Sequence, residues 1–129
     1  MICLDSDCII DFLNGKEEAV MIVKKYEDEI FTTEINVFEV LLGVYLRDNY
    51  EKEELVIKNF FGNIKKFSFD NQCGELSAKI LADLIRGGKE INQNDCLIAS
   101  IILKNGSHRI ITRNEKHYSK IKGLKVIKY

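Results

Sequence analysis

Five short apolar runs alternate along this chain with segments whose apolar residues recur at helical spacing. The runs are Ile2 to Leu4, Ile30 to Thr32, Phe67 to Phe69, Arg109 to Thr112 and Lys125 to Ile127. A strand buried on both faces reads as a continuous apolar stretch, and strand–helix alternation lays helices over both faces of a mainly parallel sheet. The chain therefore reads as α/β, with a mainly parallel central sheet flanked by helices. Helices are expected over Cys8 to Leu13, stopped by Asn14-Gly15, and over Glu17 to Tyr26. A third, capped by Thr33 or Asn36, runs through Glu39 to about Arg47, and a fourth covers Glu51 to Phe61. Asp70 is expected to cap a long helix ending at Arg86-Gly87-Gly88, and Asn92 or Asn94 one ending at Asn105-Gly106. Residues 115–119 read as a helical turn.

No proline, repeat or linker-like stretch interrupts the 129 residues, so one domain spanning 1–129 is expected. An apolar share of 46% with 30% charged residues excludes a disordered chain. The net charge of −1 leaves any nucleic-acid contact to a local patch. Cys3, Cys8, Cys73 and Cys96 form no CxxC pair, and His108 and His117 do not complete a zinc pattern. They read as reduced, buried thiols, which fits a cytoplasmic protein. No run approaches the ~20 apolar residues that span a bilayer, and the first residues lack the basic region of a signal peptide.

Three acids sit where a lone carboxylate is costly: Asp5 after an apolar strand, Glu39 in NVFEVLLG and Asp95 in NQNDCLIAS. Two unit charges ~4 Å apart repel by ~4 kcal/mol at an effective dielectric near 20. If the three meet, something positive must sit among them, and a divalent cation is the simplest candidate. Ligands of parallel sheets bind outside the carboxyl ends of the strands. Asp5 and Asn114 follow strands, while Glu39 and Asp95 open helices that can face the same crevice. Plainer readings stand beside these. Asp5 or Asp95 can cap a helix, with Ser6, Asp7, Asn92 and Asn94 competing for the role, and Glu39 can belong to a structural ion pair. In ITRNEKHY, Thr112 and Asn114 lie nearest the strand end, whereas Glu115, Lys116 and His117 read as solvated surface. Arg86, Lys89, Arg113 and Lys116 are available for phosphate contact.

These residues resemble the PIN domain family. Asp5-Ser6-Asp7 is similar to its Asp-Thr-Asn opening, and Glu39 in INVFEVLLG to its Glu-Leu-hydrophobic-x-Gly helix. Asn94-Asp95 to Ala99 resembles its Asp-x-x-Ile-Ala signature, and Thr112-Arg113-Asn114 with Tyr118 resembles the closing Thr-Arg-Asn-x-x-x-Phe segment. The order and the length are those of VapC-type toxins. The resemblance implies a three-layer PIN-like fold and an endoribonuclease dependent on Mg²⁺ or Mn²⁺. In it, Asp5, Glu39 and Asp95 hold metal, Asn114 is a fourth catalytic member and Ser6 is a hydroxyl near the metal; Thr112 and Arg113, from their place after the strand, are read with Ser6 as substrate contacts. It further implies a cognate antitoxin, a homodimer and an RNA substrate. Asp7 departs from the pattern by adding negative charge, and Asn114 is neutral. The competing readings are a PIN nuclease of RNA processing or quality control, a non-catalytic PIN-like binding module, and a haloacid-dehalogenase-like phosphatase. The last would use Asp5 and Asp7 as nucleophile and general acid.

Overall fold

The computed structural model describes all 129 residues. In chain order the elements are β1 (Ile2–Leu4), α1 (Ser6–Leu13), α2 (Glu17–Lys25), β2 (Ile30–Thr33), α3 (Glu34–Tyr45) and α4 (Glu51–Gly62). There follow β3 (Lys65–Phe67), α5 (Cys73–Arg86), α6 (Gln93–Lys104), β4 (Arg109–Ile111), α7 (Glu115–Tyr118) and β5 (Lys125–Ile127). The five strands form one sheet in the order β3-β2-β1-β4-β5, and every neighbouring pair is parallel. Cys3 stands beside Phe31 on one side and Ile110 on the other. The chain crosses one way from β1 to β2 and the other way to β4, so the carboxyl ends of β1 and β4 flank the point where the winding reverses. That is where an open parallel sheet leaves a crevice.

Why so short a strand as β1 forms is explained by what covers it. All three of its residues are fully buried, and they alternate between two cores. Cys3, Phe31 and Ile110 pack with Cys96, Ile98, Ala99 and Ile102 of α6. Ile2, Leu4 and Ile111 pack with Ile9 of α1, Val40 and Val44 of α3, and Ile57 and Phe61 of α4. The result is the expected three layers. All four cysteines are buried and free, and no helix is long and apolar enough to cross a membrane.

Two expectations need correction. The third strand lies at Lys65–Phe67, two residues before the Phe67 to Phe69 run. As an edge strand it pairs only with β2, so it needs one apolar anchor: Phe67, edge-on to Phe31 at 5.1 Å between ring centres. Phe69 is 40% exposed and carries no pairing. Asp70 does not cap α5, because its carboxylate is taken by Lys104. The helix starts at Cys73 behind Gln72, which sits in the left-handed region at φ 72° and makes no side-chain cap. The apolar stretch of α3 divides. Val40 and Val44 are buried, whereas Phe38 and Leu42 are exposed, as is Leu46 just beyond the helix.

Since Leu4 is fully enclosed between β1 and the α1–α3–α4 layer, Leu4→Ala should lower unfolding free energy by about 2–5 kcal/mol. Urea denaturation would show this as a lower midpoint.

Candidate active site

Asp5 occupies the N-cap position of α1 but its side chain makes no capping bond, which leaves the carboxylate free to turn into the crevice. It is 6% exposed. Thr112, the residue after β4, donates its hydroxyl to Asp5 Oδ2 at 2.7 Å. Asn36 donates its amide to Asp5 Oδ1 at 3.1 Å and to Ser6 Oγ at 3.0 Å. The direction of that amide is set from behind. Thr33, the N-cap of α3, accepts from the Asn36 backbone and donates to Asn36 Oδ1 at 2.7 Å. One turn further along α3, Glu39 accepts from Ser6 Oγ at 2.7 Å and from the Asn94 amide at 3.4 Å.

Asp95, in the first turn of α6, is held from α7. Its Oδ2 lies 2.6 Å from His117 Nδ1 and 3.2 Å from Asn114 Nδ2. Residues Asn114, His117 and Tyr118 are three and four apart, which puts them on one face of the turn. Tyr118 is fully buried, and its hydroxyl lies 3.3 Å from Asp5 Oδ1 and 3.2 Å from Asp95 Oδ1. One hydroxyl proton thus serves two acids.

The structure brings Asp5, Ser6, Glu39, Asp95, Thr112 and Asn114 into one hydrogen-bonded network at the carboxyl edge of the sheet. Two placements differ from their expected roles, and a third residue is held by a structural ion pair. Thr112 is fully buried and its hydroxyl is spent on Asp5, so it lies beneath the site and away from any substrate. Asn114 turns its amide donor to Asp95, and so steadies that acid. Arg113 is exposed, yet its Nε pairs with Asp11 at 2.9 Å and reaches Tyr129 Oη at 3.2 Å. Asp7 has a structural task that the sequence did not show: it accepts the Arg113 backbone N–H at 2.9 Å and tethers α1 to the loop after β4. Of the residues read as plain surface or left unassigned, His117, Tyr118 and Asn36 belong to the network. The signals were there in helical spacing, Asn36 with Glu39 on α3 and His117 with Asn114 on α7.

No Lys or Arg pairs with Asp5, Glu39 or Asp95; the one basic partner is His117. Burial, and after it the charge of Asp7, pushes the Asp5 carboxyl from its ordinary 3.8 up to about 7, against the opposing pull of the Thr112 hydrogen bond. The Tyr118 hydroxyl is held well above its ordinary range by burial and by the two acids it faces. The three carboxylates, with the Ser6 hydroxyl beside them, offer oxygen ligands that fit a hard divalent cation such as Mg²⁺ or Mn²⁺. As the side chains stand, no three of the His, Cys, Asp or Glu groups converge tightly enough to hold an ion. Tyr118 spans Asp5 and Asp95, and Ser6 holds Glu39.

Comparison with known proteins places this geometry. The family model described as PIN domain matches residues 2–124. The fold superposes on the VapBC2 complex of Rickettsia felis, solved with a DNA fragment from its promoter, at a TM-score of 0.89 and 20% identity. That match covers 100% of this chain and 99% of the other. DNA-bound VapBC of Salmonella typhimurium gives 0.88 at 21% identity, covering 98% and 96%. The FitAcB structure from Neisseria gonorrhoeae gives 0.79 at 25%, covering 98% and 96%. A sequence search among curated proteins finds no significant match.

Two expected outcomes follow from the geometry. Folding keeps a proton on Asp5 that the unfolded chain releases near 3.8, so this group's stability contribution is full below that pH and is lost as pH rises through about 7. Asp5→Asn should therefore raise the melting midpoint of metal-free protein at pH 8, by at most ~4 kcal/mol of unfolding free energy, and leave it little changed at pH 4. Tyr118→Phe keeps the ring but removes the donor between two acids, and should cost about 1–3 kcal/mol in urea denaturation.

Proposed function

This chain belongs to the PIN domain family, and on that premise we propose that it is a Mg²⁺- or Mn²⁺-dependent endoribonuclease and the toxin of a toxin–antitoxin pair. The observation that carries the reading is the set of three acids, Asp5, Glu39 and Asp95. They lie at the winding-reversal point of the sheet with no Lys or Arg to balance them. Residues 1–129 act as one nuclease domain, and its place is the cytoplasm.

Asp5, Glu39 and Asp95 would hold the cation. Bound there, it would polarise a water and stabilise charge on the attacked phosphate. The remaining residues prepare the acids. Thr112 and Asn36 fix both oxygens of Asp5, Ser6 and Asn94 fix those of Glu39, and His117 and Asn114 fix Oδ2 of Asp95. Such outer hydrogen bonds hold ligating carboxylates in the required orientation. Ser6 is half-buried at the crevice, where a phosphate oxygen can reach it. The guanidinium of Arg113 is anchored through Nε to Asp11 with the side chain 54% exposed, a posture suited to an incoming phosphate.

Partner binding is supported by the surface beside Glu39. A groove of about 410 Å³ between α1, α3 and α4 is lined by Ile10, Leu13, Val40, Val44, Val56 and Ile57, and Glu39 also borders it. Phe38 and Leu42 of α3, Leu46 just beyond it and Leu55 of α4 are also exposed. Patches of this kind mark protein interfaces. The structures similar to this chain include VapBC complexes, which supports an antitoxin as the groove's occupant and leaves the adjoining α3 surface for a second copy of the chain. The haloacid-dehalogenase alternative is set aside by the family match.

Asp95→Asn should reduce cleavage of a single-stranded RNA by at least about 100-fold while the melting profile stays cooperative; retained cleavage would count decisively against the assignment. Mn²⁺ should raise the melting midpoint of the native protein, more at pH 8 than at pH 5, and chelation should abolish turnover. Growth arrest on expression, relieved by the product of the adjacent reading frame, tests the toxin reading in cells.

A further inference from the structure

Charge is distributed unevenly along this chain. Residues 109–129 contain seven of the 19 Lys and Arg residues but only one of the 20 Asp and Glu residues, in a protein whose total is −1. The segment comprises β4, α7 and β5, and it passes the site at α7, where Asn114 and His117 touch Asp95. Three of its basic groups are already engaged: Arg109 with Glu29, Arg113 with Asp11, and Lys128 with Glu115. Lys116, Lys120, Lys122 and Lys125 make no ion pair, and all but the half-buried Lys120 are exposed.

Elsewhere around the crevice the unpaired cations are isolated: Lys89 before α6, where Arg86 is given to Asp83, and Lys52 in the groove beside Glu39. Asp5, Asp7, Glu39 and Asp95 make the crevice acidic, so even with one divalent cation bound it repels the phosphates flanking the one attacked. On the far side, α4 opens with Glu51, Glu53 and Glu54. There Lys65 lies over the Phe67 ring, and Lys66 is turned back onto the Phe61 carbonyl. Lysines also guard exposed edge strands against pairing. That accounts for Lys125 on β5, the outer strand of the sheet, and for Lys128 just after it, but not for Lys116, Lys120 and Lys122, which precede it.

We infer that the α7–β5 edge is the track along which a single-stranded RNA leaves the crevice, held by its phosphates on Lys116, Lys120, Lys122 and Lys125. This rests on the nuclease reading above and adds the direction in which the substrate lies. The edge offers no free aromatic platform, since Tyr118 is fully buried and Tyr129 gives its hydroxyl to Asp11. Binding there is therefore electrostatic and indifferent to base identity.

The test is the triple variant Lys116→Gln/Lys120→Gln/Lys122→Gln, assayed with Mn²⁺ on labelled oligouridylate and oligocytidylate across a salt series. The expected result is a KM raised at least about tenfold on both RNAs, kcat within twofold of native, and a log–log salt slope shallower by roughly 2, from three lost contacts at about 0.7 each. An unchanged melting midpoint shows that the fold is kept, and Lys58→Gln/Lys79→Gln, on α4 and α5, should leave KM and slope as they were. Unchanged KM and slope in the triple variant overturn the proposal, as does an equal loss in the control pair. Loss of duplex DNA binding with RNA cleavage untouched also overturns it, by assigning the edge to DNA. If the native protein cleaves neither RNA, the nuclease reading itself fails, and the track fails with it.

Discussion

An almost buried carboxylate without a cation, Asp5, sets the terms for the rest of the molecule. It sits one residue beyond a three-residue strand enclosed on both faces, so its position is dictated by the same burial that builds the two cores. Desolvation and the nearby Asp7 then make its ionised form unfavourable in the metal-free protein. The fold answers with donors from three separate segments: Thr112 after β4, Asn36 on α3 and Tyr118 on α7. Each bond closes a long loop of sequence, up to 113 residues between Asp5 and Tyr118. The acid is thus the point at which the helical layers and the sheet edge are fastened together.

Much of this was legible in the residues. β1 and β5 lie where their apolar runs place them, and Asn14-Gly15, Thr33 and Asn92 stop or cap the helices they were read to stop or cap. The acids were legible for the opposite reason, because a charge inside an apolar run contradicts its own neighbourhood. Illegible were those features that depend on a partner far away in sequence. Asp70 has the composition of an N-cap, but Lys104 on another helix claims it, and the helix starts three residues later. The run at Phe67 to Phe69 suggests a strand there, but pairing with β2 selects Lys65 to Phe67 instead. His117 looked like surface because a four-residue helical turn has too little pattern to show which side faces inward.

Asp7 illustrates how one residue can serve fold and site with opposite signs. Its bond to the Arg113 backbone ties the start of α1 to the loop after β4, and this closes the crevice on one side. The same charge lies close enough to Asp5 to be the second largest cause of its raised titration point. Asp11, one turn further along α1, is bound by Lys16 at 3.2 Å, by Arg113 and by the Tyr129 hydroxyl, so it is satisfied where Asp5 is not. The chain spends its cations on the structural acid and withholds them from the site. That division is what separates an acid that holds the fold from one that is left to bind something else.

The same division extends to the whole surface. Four lysines at the α7–β5 edge stay unpaired although the chain carries 20 acids, one more than its 19 basic residues. Solvated lysines lose little by pairing, for an exposed ion pair contributes only ~0–1 kcal/mol. Their isolation is therefore not enforced by stability; it follows from the absence of acids in the last 21 residues apart from Glu115. An acidic crevice is thus bordered by an unopposed basic edge. The apolar groove beside Glu39 lies between α1, α3 and α4, away from that edge, so a protein partner and a nucleic acid would approach the same acids from different sides. Glu39 borders that groove and is joined to Asp5 through Ser6 and Asn36.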